Sequence, residues 1–451
     1  MAIAIALIVL VLGTVLFHFL SPWWFTPIAS NWEMVDSTVD VTFWVTGIVF
    51  VAVNLFLAYC IIRYRHRKGG DKAHYEPENR KLEWWLTGIT SVGIAAMLAP
   101  GLSVWAKFVT VPDEATPVEV VGQQWTWTYR FPGDDGKLGA SDARLISADN
   151  PFGMDPKDPL GQDDHLVANP ELHLPIGKPV RMLLRAKDVN HQFAVAQFRV
   201  KMDMVPGMVT HFWFTPTRTG EFDVLCEQLC GVAHFAMRGR VVVDEEPAFQ
   251  TWLAGQPTYA KVLATSKGDA AAGQALFAPC TACHGAQAEG NRELNAPKLS
   301  GQSDWYLARQ LHSFKAGVRG AHEKDIYAKQ MAPFAAMLAD DAAINNVVAY
   351  IKSLPEVRPP ASIVGNPGRG KDLYETCSAC HGNKAQGIWA TNAPRLSNMS
   401  DWYMQRQLQN FRGGVRGGHP QDFHGAQMVS MARVLADDEA IADLLDYVRT
   451  L

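Results

Sequence analysis

Cysteine, histidine and methionine carry the chemistry of this sequence, and they are grouped. Cys280 and Cys283 precede His284 in CTACH, and Cys377 and Cys380 precede His381 in CSACH. CxxCH is the attachment signature of c-type haem: both thiols add to porphyrin vinyl groups and the adjacent imidazole binds iron from the proximal side. A second group, CEQLCGVAHFAM, sets Cys226 and Cys230 four apart, with His234 four residues on and Met237 three beyond that. Thiolate, imidazole and thioether together make a copper set. Two thiolates allow two coppers to share both sulfurs, with His234 terminating one and His191, in DVNHQFAV, the other. Met237 and a backbone carbonyl, read as that of Gln228, complete the set weakly. A Cys226–Cys230 disulfide is the competing reading of the pair taken alone. The remaining cysteine, Cys60, reads as a small apolar residue of a membrane helix.

The haem motifs belong to a repeat. The 97-residue offset between Cys280 and Cys377 superposes the chain from about Cys280 to Leu354 on its continuation without a gap. Ala296-Pro297 falls on Ala393-Pro394, Asp304-Trp305-Tyr306 on Asp401-Trp402-Tyr403, and Val318-Arg319-Gly320 on Val415-Arg416-Gly417. Met331 and Met428 correspond, each following a Gln at the same distance past its histidine, and are the expected distal ligands. Methionine raises the haem potential relative to histidine, which suits a haem that feeds a high-potential acceptor. His322 and His419 also correspond and keep bis-histidine ligation open. Met337 and Met431 do not match and read as core residues before the last helix.

These groups need an anchor and a frame. The 451 residues are 48% hydrophobic and 19% charged, with net charge -4, but the apolar residues crowd into the first 108 positions. That excludes a single soluble domain. Charge-free stretches near 2–20, 41–62 and 84–106 each have about the 20 residues that cross a hydrocarbon core as helix. The first lacks a basic leader and an Ala-x-Ala-like exit and reads as a retained anchor rather than a signal peptide. Arg63, Arg65, Arg67, Lys68, Lys72, Arg80 and Lys81 make the loop after the second span cytoplasmic, so everything after about Phe108 lies outside. Trp23, Trp24, Trp84, Trp85 and Trp105 fit an interfacial belt. No basic run occurs elsewhere, which excludes a nucleic-acid binder.

From Val118 to about Asp244, short alternating runs such as VEVVGQQWTWTYRF, RMLLRAKDV, MVTHFWF and GRVVVD predict an antiparallel β-sandwich. Trp125, Trp127 and Tyr129 read as alternating aromatics of one strand, packed for stability. Each haem repeat ends in a helix with apolar spacing of three to four: Ile344, Val347, Val348, Ile351, and Ile441, Leu444, Leu445, Val448. The expected division is membrane helices 1–108, copper domain 109–245, a link 246–269, haem domain 270–354, a link 355–368 and haem domain 369–451.

With these motifs in hand, the chain resembles subunit II of the haem-copper cytochrome c oxidases. The resemblance rests on a helix pair joined by a cytoplasmic loop, GQQWTWTYRF, DVNHQF and CxxxCGxxHxxM, and the trailing repeat is similar to tandem dihaem cytochromes c. Together they resemble the caa3 type. The resemblance implies a cupredoxin fold for the sandwich and an all-α class I cytochrome c fold for each repeat. It implies a binuclear CuA centre at His191, Cys226, the Gln228 carbonyl, Cys230, His234 and Met237, beside two c haems. Trp125 is then the aromatic through which electrons reach copper, and Glu83 in LEWWLT lies near the mouth of a proton pathway into the catalytic subunit. The family has Glu where this chain has Gln228, with Glu227 one place earlier, so the side chain that helps hold magnesium in the family is missing here.

Implied partners are catalytic subunit I, subunit III, membrane lipid, and a donor that is either a periplasmic cytochrome c or the upstream quinol–cytochrome c reductase. The implied location is the bacterial inner membrane with the copper and haem domains in the periplasm. Electrons would enter at the haems, pass to CuA and continue to the subunit that reduces oxygen and pumps protons. A CuA-containing nitric oxide or nitrous oxide reductase, and a stand-alone anchored electron shuttle, stay open as alternatives.

Overall fold

The apolar stretches form three helices, α1 (Ala2–Leu20), α2 (Glu33–Arg63) and α3 (Arg80–Val109), each long and apolar enough to cross a membrane. They are seen in a computed structural model that describes residues 1–21, 26–66, 77–147, 150–265 and 268–451. Trp23, Trp24, Arg67, Lys68 and Lys72 lie outside the described residues. α2 and α3 run past the apolar limits read from sequence, because a helix continues into water wherever its polar ends, here Glu33, Asp36, Asp40, Arg80 and Lys81, meet the interface. α1 packs along α2. Most other apolar side chains of the three helices face outward, the surface that lipid or a partner helix covers.

The outer end of α2 is fastened to α3 and to the domain beyond it. Trp32 is wedged between Phe108 and Trp213, with ring centroids 5.3 and 4.9 Å away, and its indole N–H donates to the Trp213 carbonyl at 2.9 Å. Arg199 donates to both oxygens of Asp36, at 2.6 and 2.8 Å, the fork-to-fork pairing that fixes orientation as well as charge.

That domain is built of strands β1 (Thr116–Gln123), β2 (Thr126–Phe131), β3 (His165–Val167), β4 (Glu171–Pro175), β5 (Val180–Ala186), β6 (His191–Val195), β7 (Val200–Met204), β8 (Thr210–Phe214), β9 (Gly220–Cys226) and β10 (Arg238–Asp244). They make two five-stranded sheets, ordered β3-β2-β1-β5-β8 and β4-β10-β9-β6-β7, packed over a core that includes Phe193, Phe212, Val224 and Val241. The sandwich is present, but it is not purely antiparallel: β1 runs parallel to β5 and β4 parallel to β10. Alternation reports which face of a strand is buried and is silent about direction, which long connections decide. The run VEVVGQQWTWTYRF is also two strands rather than one. Trp125 sits in the tight turn between β1 and β2, while Trp127 and Tyr129 lie buried on β2.

The β1–β2 hairpin is buried on both faces. Its outer face lies under the excursion that carries Phe152 and Met154 and under Tyr259. Charges there are paired: Arg130 bridges Glu119 at 2.6 Å and Asp164 at 2.9 Å, and Arg185 also meets Glu119. The stretch 246–269, expected as a plain link, is instead folded onto the sandwich as α4 (Glu246–Ala254) and α5 (Tyr259–Thr265). Phe249 and Trp252, three apart and so on one helix face, cover Phe131, and Trp252 stacks on His173 at 4.3 Å.

The first haem repeat holds α6 (Ala270–Phe277), α7 (Thr281–His284), α8 (Asp304–Lys315), α9 (Ile326–Ala336) and α10 (Asp341–Ser353). The second holds α11 (Pro367–His381), α12 (Asp401–Arg412), α13 (Phe423–Ala432) and α14 (Asp438–Val448). Where the first copy breaks its opening helix at Pro279, which lacks a backbone N–H, the second has Thr376 and one continuous helix. Opening and closing helices cross at Gly273 and Gly370, where a Cβ would stand 1.9 and 2.0 Å from backbone oxygens of Asn346 and Asp443. Ile344, Val347, Val348, Ile351 and their counterparts Ile441, Leu444, Leu445 and Val448 are buried. Met337 is not a core residue: the chain leaves α9 before it, and it is 64% exposed.

Replacing Arg130 with Met leaves the buried Asp164 carboxylate without a cation and Glu119 with Arg185 alone. The expected result is a loss of about 3–5 kcal/mol in the opening of β1 and β2, read by amide hydrogen exchange in the intact chain.

Candidate metal centre and haem sites

The copper-type residues converge on one end of the sandwich. His191 opens β6, Cys226 closes β9, and the loop from Glu227 to Met237 carries the rest back to β10. Cys226 and Cys230 present their sulfurs 3.7 Å apart, far beyond the roughly 2.05 Å of a disulfide, so they are free thiols facing each other. Cys226 Sγ lies 3.9 Å from His191 Nδ1 and 3.2 Å from the Gln228 carbonyl. Cys230 Sγ lies 3.4 Å from His234 Nδ1 and 3.8 Å from the Met237 sulfur. Ligand atoms of His191, Cys226 and Cys230 fall within 4.8 Å of one another. Two soft thiols at the centre, an imidazole at each side, and a thioether and a carbonyl at the margin fit copper better than any hard cation.

The surroundings orient this set. Asp188 Oδ1 accepts a hydrogen bond from His191 Nε2–H at 2.8 Å, which leaves Nδ1 as the lone pair facing the sulfurs. Reading the sequence misses Asp188, although its position three residues before His191 in DVNH is a usable signal. Burial opposes a proton on His191, but Asp188 and Cys226 outweigh it and raise its pKa. The Cys230 thiol hydrogen-bonds Cys226 and pushes it down to about 3, and the neighbouring thiolate together with burial pushes Cys230 up. The Cys230 carbonyl is held twice, by Gln124 Nε2 at 2.8 Å and by the Trp125 indole at 3.1 Å. Cys226, Cys230, His191 and Met237 are buried, and His234 is half-buried.

Both haem-motif histidines are buried and fixed in the same way. His284 Nδ1 donates to the Pro297 carbonyl and His381 Nδ1 to the Pro394 carbonyl, each at 2.8 Å, so Nε2 is the free nitrogen in both. In sequence these prolines stand out only as matching letters of the repeat. The thiols of Cys280, Cys283, Cys377 and Cys380 are unbridged and partly buried. Met331 and Met428 occupy equivalent half-buried positions on α9 and α13. His322 and His419 line a cavity of about 300 Å³ between the repeats, together with Arg319, Asp325, Arg416 and Asp422. In each of those two rings Nδ1 accepts from the backbone N–H two residues on. The buried Nε–H groups of Arg319 and Arg416 make no hydrogen bond among the described residues, with Asp325 4.0 Å from Arg319 Nε, and free donors there fit the carboxylates of a porphyrin. Glu83 stands apart from all of these, exposed in the first turn of α3.

The repeats face each other about an approximate two-fold axis. Arg309 bonds Asn392 at 3.1 Å and its counterpart Arg406 bonds Asn295 at 2.6 Å. Lys298 reaches the Asn398 carbonyl at 2.7 Å and its counterpart Arg395 the Gly301 carbonyl at 3.0 Å. Such reciprocity marks an isologous contact. The second repeat also seats on the sandwich. Gln427, next to Met428, donates to the Trp125 carbonyl; Gln123 donates to the Ala390 carbonyl at 2.6 Å; Lys187 lies 5.1 Å over the Trp389 ring. Cys380 packs on the sandwich core, and α13 lies against the His234–Ala236 turn.

Residues 116–245 match the family described as cytochrome c oxidase subunit II, periplasmic domain, and residues 270–355 and 368–451 the family described as cytochrome c. The alternative cytochrome c oxidase subunit 2 of Bradyrhizobium diazoefficiens is 59% identical over 260 residues, covering 58% of this chain and 94% of that protein. Among solved structures, the periplasmic domain of cytochrome oxidase subunit II from Bradyrhizobium japonicum is 31% identical, covering 32% of this chain and 95% of that one, with a TM-score of 0.24. Reduced cytochrome c4 from Pseudomonas stutzeri is 28% identical, covering 41% and 99%, with a TM-score of 0.33.

Replacing Asp188 with Ala frees the His191 ring. Copper affinity, measured by competition with a chelator, is expected to fall about ten- to a hundredfold, and an unchanged affinity contradicts the orienting role.

Proposed function

Since the chain belongs to the cytochrome c oxidase subunit II family, carried on into cytochrome c domains, we propose that it takes electrons from a periplasmic donor at its haem repeats and hands them through the copper site to catalytic subunit I. Membership makes it an electron-transfer subunit of a haem-copper oxidase, membrane-anchored, with a periplasmic copper domain. Its domains imply CuA copper and haem c. The finer reading is that Cys226, Cys230, His191, His234, Met237 and the Gln228 carbonyl would hold a copper pair. Cys280, Cys283, His284 and Met331 would hold one haem, and Cys377, Cys380, His381 and Met428 a second. When bound, these groups supply one-electron exchange without making or breaking bonds.

The chain's own residues supply stiffness, dryness and spacing. Asp188 holds His191, Pro297 and Pro394 hold the two haem-motif histidines, and Gln124 with Trp125 holds the Cys230 carbonyl. Fixed ligands in a water-poor pocket keep geometry nearly constant between oxidation states, which is what fast exchange needs. The observation that carries the reading is a bonded bridge: Gln427, beside Met428, to the Trp125 carbonyl, and the Trp125 indole to the Cys230 carbonyl. It supports an order in which the second repeat adjoins copper and the first meets the donor.

The same reading covers the division into anchor 1–108, copper domain 109–245 and haem domains 270–354 and 369–451, a caa3 type in a bacterial inner membrane, subunit III as a further partner, and proton pumping in the partner subunits. The donor is a periplasmic cytochrome c or the quinol–cytochrome c reductase. Glu83, at the cytoplasmic end of α3, is assigned to the mouth of a proton path into subunit I. Magnesium has little to hold it: Gln228 brings no carboxylate, and Glu227 pairs with Lys201 at 3.3 Å.

Metal analysis of the full chain purified in detergent is expected to give two coppers and two covalent haems; one copper contradicts the binuclear site. Met331→Ala or Met428→Ala should remove the His/Met signature of one haem each, and an unchanged spectrum passes that role to His322 or His419.

A further inference from the structure

The two haem repeats are copies, yet one face is used differently in each. In the second copy the face formed by the 389–391 turn and one side of α13 is the one seated on the sandwich. Trp389, Ala390 and Gln427 meet it directly, and Phe423 and Met431, four residues either side of Gln427 on the same face of α13, are half-buried as those three are. Shifting back by the repeat, the same positions in the first copy are Arg292, Glu293, Ile326, Gln330 and Phe334, and all of them are exposed. Leu294 is 51% exposed, Ile326 51%, Phe334 43% and Met337 64%. Ile326, Gln330, Phe334 and Met337 recur every three to four residues, so they form one stripe along α9 and past its end. Leu294 lies on the turn corresponding to the one that meets Gln123 and Lys187 in the second copy.

A contiguous exposed apolar stripe on a soluble domain marks a contact surface. The chain itself shows what this surface holds when it is used, since its duplicate lies against a domain that presents a redox site. The rim charges are mixed in sign, with Arg292 and Lys329 against Glu293. That favours an apolar, weakly steered encounter over a charge-guided one.

We propose that Leu294, Ile326, Gln330, Phe334 and Met337 form the docking surface for the external donor, a soluble electron-carrier protein whose redox edge is framed by a weakly charged apolar rim. The proposal rests on the relay reading above. In the encounter the donor is oxidised by one electron and the first haem repeat is reduced by one; no proton or group moves. The second repeat cannot offer the same face, because the sandwich occupies it.

The test uses the full chain in detergent with its catalytic partner. The probe is a soluble class I cytochrome c carrying zinc in place of iron, which docks but cannot donate from its ground state, and binding is read from its fluorescence under illumination too weak to photoreduce the haems. Phe334→Glu with Met337→Glu should weaken binding at least about tenfold, with little dependence on salt in the parent chain. Both side chains are exposed, so folding is preserved, and unchanged haem spectra verify it. Val364→Glu, on the exposed link between the repeats, should bind as the parent does. Equal affinity in all three, no saturable binding by the parent, or binding only after the catalytic subunit is removed overturns the proposal. Docking is read without electron transfer, so the two readings separate. If the probe binds here but the iron-containing cytochrome never reduces copper, the surface stands and the relay falls.

Discussion

One residue joins the candidate copper site to the second haem repeat. The Trp125 indole N–H donates to the Cys230 carbonyl, and the Trp125 backbone carbonyl accepts from Gln427 of the second haem repeat. It is 3% exposed. A buried residue that must satisfy a donor and an acceptor on opposite sides fixes the separation of the groups it joins. The β1–β2 hairpin sets its position, and that hairpin is buried on both faces, its outer face carrying a paired charge network.

The duplicated haem unit solves a geometric problem with the same parts used twice. Reciprocal bonds such as Arg309–Asn392 and Arg406–Asn295 hold the copies face to face and leave each copy a second, outward face. One of these is committed to the sandwich; the other remains exposed. On the proposed relay, the fold then has a fixed inner end and an open outer end. The small differences between copies, such as Pro279 against Thr376 and Leu294 against Thr391, fall where the two need not agree.

The grouping of chemistry is legible in sequence because covalent haem attachment and soft-metal binding demand rare residues at short spacings, and because an ungapped repeat survives folding to the residue. Three apolar spans are legible for a similar reason: lipid imposes length and composition on contiguous chain. Features that depend on distant partners are not. Strand direction in β1–β5 and β4–β10 is set by long connections, and Trp125 passes for a strand residue because its neighbours alternate as a strand does. Residues 246–269 pass for a link because Phe249, Trp252 and Tyr259 find their partners far back in the chain. Pro297 and Pro394 act through carbonyl oxygens, which any residue supplies, so their identity carries no signal. Asp188 is different: a carboxylate three residues before a ligating histidine is within reach of sequence.

On the proposed relay the second haem repeat, and not the first, is the neighbour of the copper site. Magnetic dipolar coupling between oxidised copper and each haem measures this proximity, with one haem at a time removed by replacing its motif cysteines with serine. Strong coupling is expected when only the second repeat, with Cys377 and Cys380 intact, carries haem, and weak coupling when only the first does. Equal couplings, or stronger coupling to the first repeat, would contradict it.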